Sequence, residues 1–333
     1  MPLDTGRNGA VWAVAFHADG KHVLGGNGDG LQRWQLSDGR QVEKRMGMDV
    51  YAISVSRDDK WVVCGTDGAG ASVWDSEMRT KVVDVEGDNT VDAVDVSADS
   101  TRFATGTNRK EASIWSITTG ERLVGPLEHD AGVLGIRFSP SGVLIATCAG
   151  NSIRIFDSRT GDKLVAIDIP IPIPGPTTPI AWSSDGQQIL AASFDNNIRA
   201  FDASTGTQLT ESQILHDGHN DVPSIALAAN GKFIATFAEC SISFLDTSTL
   251  ARIGPIIEDS KRIWSVAISA DSTRLATGQY HGKIIIRDLT KILPDAYTGP
   301  FDVSVCALPR SIPNVDKTCR YLLANTLNKT TSL

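Results

Sequence analysis

Apolar and polar side chains alternate along this chain in short segments that recur roughly every forty residues. The clearest of them is a six-residue apolar alternation that begins at residues 11, 50, 91, 133, 177, 222 and 263. A period of two places alternate side chains on one face of an extended chain, so each segment predicts a strand with one buried face. Seven such strands at regular spacing indicate a repeat architecture.

Each unit continues past this strand in the same way. A polar turn such as Asp19-Gly20 or Asp99-Ser100 leads into a second apolar strand, and residues of these types suit a tight reversal of the chain. After a further loop, a third strand ends in a large side chain or its substitute, at Trp34, Trp74, Trp115, Phe156, Phe201, Leu245 and Arg287. Another turn and a fourth strand complete the unit. Four strands per period are typical of a propeller blade, so the pattern predicts an all-β, seven-bladed β-propeller.

The third strands carry the residues that relate the chain to a known family. Trp74-Asp75 is a literal Trp-Asp pair, and four other units keep the aspartate, at Asp157, Asp202, Asp246 and Asp288. A Gly-His pair is present at Gly218-His219, and a lone histidine stands at His129. Over roughly residues 3–302 the chain resembles the WD40 repeat family, with degenerate repeats. The resemblance implies structural hydrogen bonds for His129 and His219, and packing between blades for the third-strand aromatics.

The two chain ends leave the closure of the ring open. Propellers of this family usually pair an N-terminal strand into the last blade, which removes exposed edges, and residues 2–5 are long enough for one. Residues 298–301 resemble the fourth-strand starts near Gly125-Pro126 and Gly254-Pro255, so we expect them to form the outer strand of blade seven or to lie beside it. We assign residues 1–302 to the propeller and residues 303–333 to an extra C-terminal segment. An alternative is an eight-bladed ring whose last blade, beginning at residue 303, is incomplete.

Composition and charge narrow the choice of partner and compartment. The chain has 31 Lys and Arg against 39 Asp and Glu, a net charge of −8, which argues against a nucleic-acid partner because such binding relies on neutralised phosphates. It has no apolar run long enough to cross a membrane and no signal-peptide pattern near Met1. Its five cysteines form no CxxC pair, so we expect free thiols in a reducing compartment. We therefore predict a cytoplasmic protein, with the nucleus not excluded, that is monomeric alone and has no membrane partner.

Catalytic signatures are absent from the sequence. It contains no GxSxG elbow, HExxH pair, phosphate-binding GxxxxGK[S/T] loop or EF-hand loop. The glycine-rich residues 25–30 lie between two predicted strands and are interpreted as a blade loop, and the six histidines show no metal-ligand spacing. We therefore predict no catalytic residues, no cofactor, no metal and no enzymatic activity.

The resemblance implies a non-catalytic scaffold or adaptor for protein–protein interactions that presents peptide-binding surfaces on a propeller rim. One alternative is a small-ligand or carbohydrate-binding propeller. Another is a substrate receptor of a cullin-RING ubiquitin ligase, because Phe156-Asp157-Ser158-Arg159 resembles the W-D-x-R box of such receptors, although it has phenylalanine where that family has Trp or Tyr.

A candidate binding site follows from the phase of the repeats. By analogy with the family, three positions in each unit point to one rim: the residue before the first strand, the second residue of that strand, and the loop residue before the third strand. The aromatic and arginine residues at these positions fall on adjacent blades, at Trp12, Tyr51, Arg262, Trp264 and Tyr280. Asp49, Asp67 and Asp92 continue the arc. Trp, Tyr and Arg dominate interface hot spots, so this surface suits a peptide with a large apolar anchor and nearby basic residues. The alternative is that Trp12 and Trp264 pack inward at the channel mouth and only stabilise the ring.

Overall fold

The computed structural model describes residues 1–6, 9–45, 47–87, 89–169, 179–193, 195, 197–213 and 224–298. Within these ranges the chain forms seven four-stranded antiparallel sheets, one for each sequence unit. The first strand, β1 (Pro2–Asp4), belongs to the last sheet, and the other six sheets are each built from four consecutive strands. The prediction of an all-β, seven-bladed propeller is therefore confirmed.

The strands of the first three blades are β2 (Ala13–Phe16), β3 (His22–Asn27), β4 (Gly30–Gln35), β5 (Gln41–Arg45), β6 (Val50–Val55), β7 (Trp61–Thr66), β8 (Ala71–Asp75), β9 (Lys81–Val85), β10 (Val91–Val96), β11 (Arg102–Thr107), β12 (Glu111–Ser116) and β13 (Arg122–Glu128). Those of blades four and five are β14 (Val133–Phe138), β15 (Leu144–Ala149), β16 (Ser152–Asp157), β17 (Lys163–Asp168), β18 (Ile180–Trp182), β19 (Gln188–Ala192), β20 (Asn197–Asp202) and β21 (Gln208–Gln213). The remaining strands are β22 (Ser224–Leu227), β23 (Phe233–Ala238), β24 (Ser241–Asp246), β25 (Arg252–Glu258), β26 (Ile263–Ile268), β27 (Arg274–Gln279) and β28 (Lys283–Asp288).

The first strand of each sequence unit is the innermost strand of its blade. These seven strands, β2, β6, β10, β14, β18, β22 and β26, together line one central cavity of about 470 Å³. Apolar residues fill the space between neighbouring blades; for example, Phe103 and Ile117 of blade three pack against Val63 and Val83 of blade two. The repeating alternation therefore gives each blade an inner strand on the channel and two faces that pack on its neighbours.

The N-terminal strand closes the ring. In the last blade β1 pairs with β28, with Leu3 opposite Ile284. The N-terminal amine of Met1 donates to Ile286 O at 2.7 Å, and Ile286 N donates to Met1 O at 2.8 Å. Leu3 is almost fully buried and packs with Val11 and Trp34 of blade one. Strand β1 thus holds the last blade against the first.

This pairing corrects the expectation for residues 298–301. The outer strand of blade seven is β1, so the prediction that residues 298–301 form it is wrong. The other half of the expectation, that they lie beside this strand, falls mainly on residues outside the described part of the chain. The physical reason is that the free edge of β28 pairs with residues 2–4, which leaves the edge occupied. Of residues 298–301 only Thr298 lies in the described part of the chain, and the expected extra segment, residues 303–333, lies outside it.

After blade seven the chain turns back onto blade six. A 3-10 helix (Leu289–Lys291) follows β28, and Leu289 and Leu293 pack against Phe244 of blade six. The Tyr297 hydroxyl donates to Asp246 Oδ2 at 3.0 Å, and Asn230 Nδ2 donates to Tyr297 O at 2.8 Å. Residues 289–297 therefore tie blade seven to blade six.

The large third-strand side chains pack in the core, as predicted. Trp34, Phe156 and Phe201 are buried, whereas Trp74 and Trp115 are partly buried and pack against the clusters between blades. The aspartates that follow have a structural role as turn caps. Asp75 accepts hydrogen bonds from Arg79 N and Thr80 N at 2.7 and 2.9 Å. Equivalent bonds to backbone N–H groups are made by Asp157, Asp202, Asp246 and Asp288.

Two second-strand glycines show how closely successive blades approach. A Cβ on Gly65 would lie 2.5 Å from Val91 O of blade three. A Cβ on Gly278 of blade seven would lie 2.7 Å from Val11 O, which also accepts a hydrogen bond from Ser265 Oγ at 3.0 Å. Because any larger residue would push the inner strand of the next blade away, these glycines set the spacing of the blades at the end of the channel where the inner strands begin.

Candidate functional site

The site predicted from the repeat phase lies at the end of the channel where the inner strands begin. We call the eight residues Trp12, Tyr51, Arg262, Trp264, Tyr280, Asp49, Asp67 and Asp92 the rim cluster. In four blades the inner strand has a β-bulge at its second residue, which is Tyr51, Asp92, Leu134 or Trp264. The extra residue of a bulge has no partner in the ladder, and the local bend re-aims its side chain. All four side chains, and Trp12 in the corresponding position of blade one, line the central cavity.

Backbone hydrogen bonds bring the other members of the rim cluster beside these positions. Asp67 N donates to Asp49 O at 3.1 Å in blade two, and Tyr280 N donates to Arg262 O at 2.9 Å in blade seven. Each bond joins the loop after the second strand to the residue that precedes the inner strand. In blades two and seven these residues therefore lie at one corner of the blade, beside the start of the inner strand.

The aromatic members form two stacked pairs. The rings of Trp12 and Tyr51, on blades one and two, are parallel within 2° with centroids 4.5 Å apart. Trp264 and Tyr280 of blade seven stack with centroids 6.3 Å apart, and the Arg262 guanidinium lies 5.5 Å from the Trp264 ring centroid. Offset stacking and cation–π contacts of this kind hold aromatic rings in defined orientations.

The rim aromatics are only partly covered. Trp12, Tyr51 and Trp264 are half-buried, and Tyr280 is 51% exposed. Neither Trp12 nor Trp264 belongs to the apolar clusters that fill the space between blades. The Trp264 Nε1–H is buried without a hydrogen-bond acceptor in the described part of the structure. These rings therefore line the mouth of the channel and present part of their surface to it.

The carboxylates of the rim cluster are close enough to change the pKa values of their neighbours. Burial and the nearby Asp67 carboxylate raise the pKa of Asp92 from 3.8 to about 6. Burial, together with the carboxylates of Asp67, Asp49 and Asp92, raises the pKa of the Tyr51 hydroxyl. Asp67 accepts a hydrogen bond from Thr90 Oγ1 at 2.5 Å. This end of the rim cluster therefore has a concentrated negative potential.

A polar strip inside the channel was not identified from the sequence. The fifth residue of each six-residue alternation lines the same cavity and is alanine in four blades, but it is Ser54, Asp95 and Arg137 in blades two to four. Arg137 Nη1 lies 3.6 Å from Asp95 Oδ1, and Asp95 Oδ2 accepts a hydrogen bond from Phe138 N at 2.8 Å. Burial raises the pKa of Asp95. The sequence contained the information needed to predict this ion pair, because residues of opposite charge at the same position of consecutive repeats are expected to meet between neighbouring blades.

The other candidates from the sequence have structural roles. His129 Nε2 lies 2.7 Å from Thr147 Oγ1 and its Nδ1 lies 2.9 Å from Leu127 O, so its predicted structural role is confirmed; His219 lies outside the described residues. Burial lowers the pKa of His129 to about 4. The loop within residues 25–30 joins β3 to β4, as interpreted.

Two of the cysteines that the structure describes are free and buried, Cys64 and Cys148. Burial raises the pKa of the Cys64 thiol to about 12. Cys306 and Cys319 lie outside the described residues. In the ranges that are described, no three His, Cys, Asp or Glu side chains are placed to hold a metal ion, and no helix is long and apolar enough to span a membrane.

Comparison with known families agrees with this geometry. The family model for the WD domain, G-beta repeat, matches residues 2–31, 122–157 and 180–202, which fall on blades one, three, four and five and on the closing strand β1. The chain thus contains WD40 repeats within a seven-bladed β-propeller. WD40 propellers commonly serve as protein-interaction scaffolds and are typically non-enzymatic.

Curated WD40 proteins show the same relationship at low identity. The chain is 19% identical to the intraflagellar transport protein 122 homolog of Xenopus tropicalis over 84% of its own length and 23% of that protein. It is 22% identical to the WD repeat and SOCS box-containing protein 1 of Danio rerio, over 50% of the chain and 43% of that protein. It is 27% identical to the guanine nucleotide-binding protein subunit beta of Arabidopsis thaliana, over 44% of the chain and 42% of that protein. The match thus covers less than half of each of these relatives.

Proposed function

We propose that this WD40 propeller is a non-catalytic protein–protein interaction scaffold whose partner docks on the rim cluster. The observation that carries the proposal is the convergence of two stacked aromatic pairs and three carboxylates from adjacent blades at one mouth of the channel. Exposed aromatic clusters of this kind are unusual on a surface without a partner.

The chemistry of the rim cluster indicates the type of partner. Partly exposed Trp and Tyr rings offer a large, rigid apolar surface at low entropic cost, and they are the residues that dominate binding hot spots. The carboxylates of Asp49, Asp67 and Asp92 add a negative potential that favours basic segments. A peptide with a large apolar anchor and nearby Lys or Arg fits both features.

Two alternatives from the sequence have less support. A carbohydrate or small-ligand propeller is expected to repeat similar side chains in one loop position, whereas this position holds Asp67 in blade two, Ala149 in blade four and Tyr280 in blade seven. A role as a cullin-RING substrate receptor rests on Phe156-Asp157-Ser158-Arg159, in which Phe156 is buried and Asp157 caps a turn, so that Arg159 is the exposed member.

Compartment and assembly are proposed from the cysteines and the net charge. The free Cys64 and Cys148 are consistent with a reducing, cytoplasmic environment, and the net charge of −8 favours a soluble monomer without a nucleic-acid partner. We propose these properties together with the scaffold role.

A selection experiment with matched variants tests the proposal. A phage-displayed peptide library is selected on the full chain and, in parallel, on Trp12→Ala/Trp264→Ala. The control is Leu164→Ala/Leu209→Ala, which removes two exposed apolar side chains from outer strands. We expect peptides that bind the wild type and the control but not the rim variant. Failure to enrich any peptide whose binding depends on Trp12 and Trp264 would contradict the proposal.

A further inference from the structure

The two ends of the rim cluster differ in charge. At the end formed by blades two and three, Tyr51 and Asp92 line the cavity, and Asp49 and Asp67 lie in the loops beside them. At the blade-seven end, Arg262 and Lys261 are exposed, and Arg262 lies over Trp264. A ligand that spans the rim cluster therefore meets negative charge at one end and positive charge at the other.

The carboxylates of the acidic end have no basic partner in the part of the chain that the structure describes. Among the described basic residues, none forms an ion pair with Asp49, Asp67 or Asp92, although such pairs occur elsewhere on the propeller, for example between Arg137 and Asp95. The raised pKa of Asp92 reflects the same imbalance, because burial and Asp67 both disfavour its ionised form. A bound cation would relieve this repulsion, whereas a neutral or anionic group would leave it.

The two aromatic pairs also differ in whether a cation of the protein already contacts them. Arg262 already occupies the ring surface at Trp264, but no described Lys or Arg lies over Trp12 or Tyr51. The Trp12–Tyr51 stack is half-buried and adjoins the carboxylates that act on the Tyr51 hydroxyl. An aromatic face beside several carboxylates suits a guanidinium, which can stack on a ring and bind a carboxylate with two N–H groups at once, better than an ammonium.

We infer that the channel mouth binds one arginine side chain of the partner between the Trp12–Tyr51 stack and Asp92, with Asp49 and Asp67 completing the negative surroundings, while the partner's apolar anchor contacts Trp264 and Tyr280. This inference rests on the proposed peptide-binding function and specifies it. The arginine enters the mouth rather than lying across the loops, because Tyr51 and Asp92 are bulge residues that line the cavity.

Short synthetic peptides test this assignment with the full chain. The probes are capped, fluorescently labelled peptides in which one arginine and one tryptophan are separated by zero, one or two glycines, in both orders. Matched peptides carry citrulline, which has the shape of arginine without its charge, or lysine in place of arginine. Fluorescence anisotropy gives Kd for the wild type, for Asp92→Asn, and for Asp130→Asn, which removes the same charge from an exposed aspartate on blade four.

The expected result is that at least one arginine peptide binds the wild type and Asp130→Asn about equally. Replacement of arginine by citrulline and the Asp92→Asn change should each weaken binding by about tenfold or more, and the lysine peptide should bind less tightly than the arginine peptide.

Equal Kd values for arginine and citrulline peptides would overturn the inference and leave the scaffold proposal standing, because the apolar anchor would still bind. Binding of free spermidine as tightly as the best peptide would also overturn it, as would the absence of binding by every arginine peptide at millimolar concentration. The scaffold proposal is tested separately. It fails if the phage selection yields no peptide whose binding depends on Trp12 and Trp264.

Discussion

Trp12 of blade one and Tyr51 of blade two stack face to face across a blade boundary, with ring centroids 4.5 Å apart and planes 2° apart. Each residue occupies the second position of the six-residue alternation in its unit, so the stack joins equivalent positions of neighbouring blades. Stacked aromatic pairs contribute about 0.5–1.5 kcal/mol beyond the area they bury. The pair therefore makes a small contribution to the contact between two blades, and part of its surface is exposed at the channel mouth.

We predict that the rim tryptophans matter more for binding than for stability. Trp12→Ala/Trp264→Ala should reduce the free energy of unfolding much less than Trp34→Ala, because Trp34 is fully buried between blades and its loss should cost about 3–5 kcal/mol. Urea denaturation of the three proteins gives the comparison. A loss for the rim variant as large as for Trp34→Ala would mean that these rings are core residues.

Asp92→Asn should stabilise the free protein at neutral pH while it weakens binding of a basic peptide. The folded pKa of Asp92, about 6, exceeds the ordinary value of 3.8, so the folded state holds the proton more tightly than the unfolded state. The carboxylate is therefore without effect below pH 3.8, becomes increasingly destabilising as pH rises, and is fully destabilising above pH 6. Asp67, Asp49 and Tyr51 are the titratable groups that act with it. Thermal melting of both proteins between pH 4 and pH 8 measures the difference, which should grow with pH; a constant difference would contradict this account.

His129 should produce the opposite pH dependence. Burial lowers its folded pKa to about 4 from 6.5, so the folded state favours the neutral ring. The stability that depends on neutral His129 is fully present above pH 6.5 and is lost as pH falls towards 4. The unfolding free energy of wild type minus that of His129→Gln, measured by urea titration, should decline over this range. His17, whose pKa burial also lowers, is present in both proteins and largely cancels in the difference.

Closure of the ring should depend on the N-terminal strand. Leu3→Ala removes a buried side chain that contacts blades seven and one, so we expect a loss of about 2–5 kcal/mol. Leu164→Ala, at an exposed outer strand, should change stability by less than about 0.5 kcal/mol. Equilibrium unfolding in urea provides both values, and an equal effect of the two changes would argue against closure by β1.

The spacing of the blades should be sensitive to Gly65. Gly65→Ala places a methyl group 2.5 Å from Val91 O, which forces the inner strand of blade three to shift, at a cost of about 1–3 kcal/mol. Gly87→Ala is the control, since its methyl group would meet nothing closer than Gly70 Cα at 3.8 Å. A shift in melting temperature for the first variant but not the second is the expected outcome, and equal shifts would contradict the proposed role of Gly65.

The repeating part of the fold could be predicted from the sequence. The starts predicted at residues 50, 91, 133 and 263 coincide with those of β6, β10, β14 and β26. The phase of the repeat also led to the proposed rim positions, among which the structure shows the contacts Trp12–Tyr51 and Trp264–Tyr280. These features depend on the local alternation of apolar and polar residues and on the residue types in the turns. Because the same pattern recurs in every unit, each further unit supports the same prediction.

Features that depend on contacts between distant units could be decided only by the tertiary structure. Residues 2–4 carry little pattern of their own, and they form the closing strand because β28 presents a free edge beside blade one. Which segment filled that edge depended on how the first and last blades meet, and local pattern favoured residues 298–301 incorrectly. The same holds at the rim, where the sequence gives the positions of Tyr51 and Asp92 but the approach of neighbouring blades decides that Trp12 stacks on Tyr51 and that Asp67 raises the pKa of Asp92. Local sequence determines strands and turns through short-range sterics and burial, whereas stacking and charge coupling depend on distances that exist only once the ring is closed.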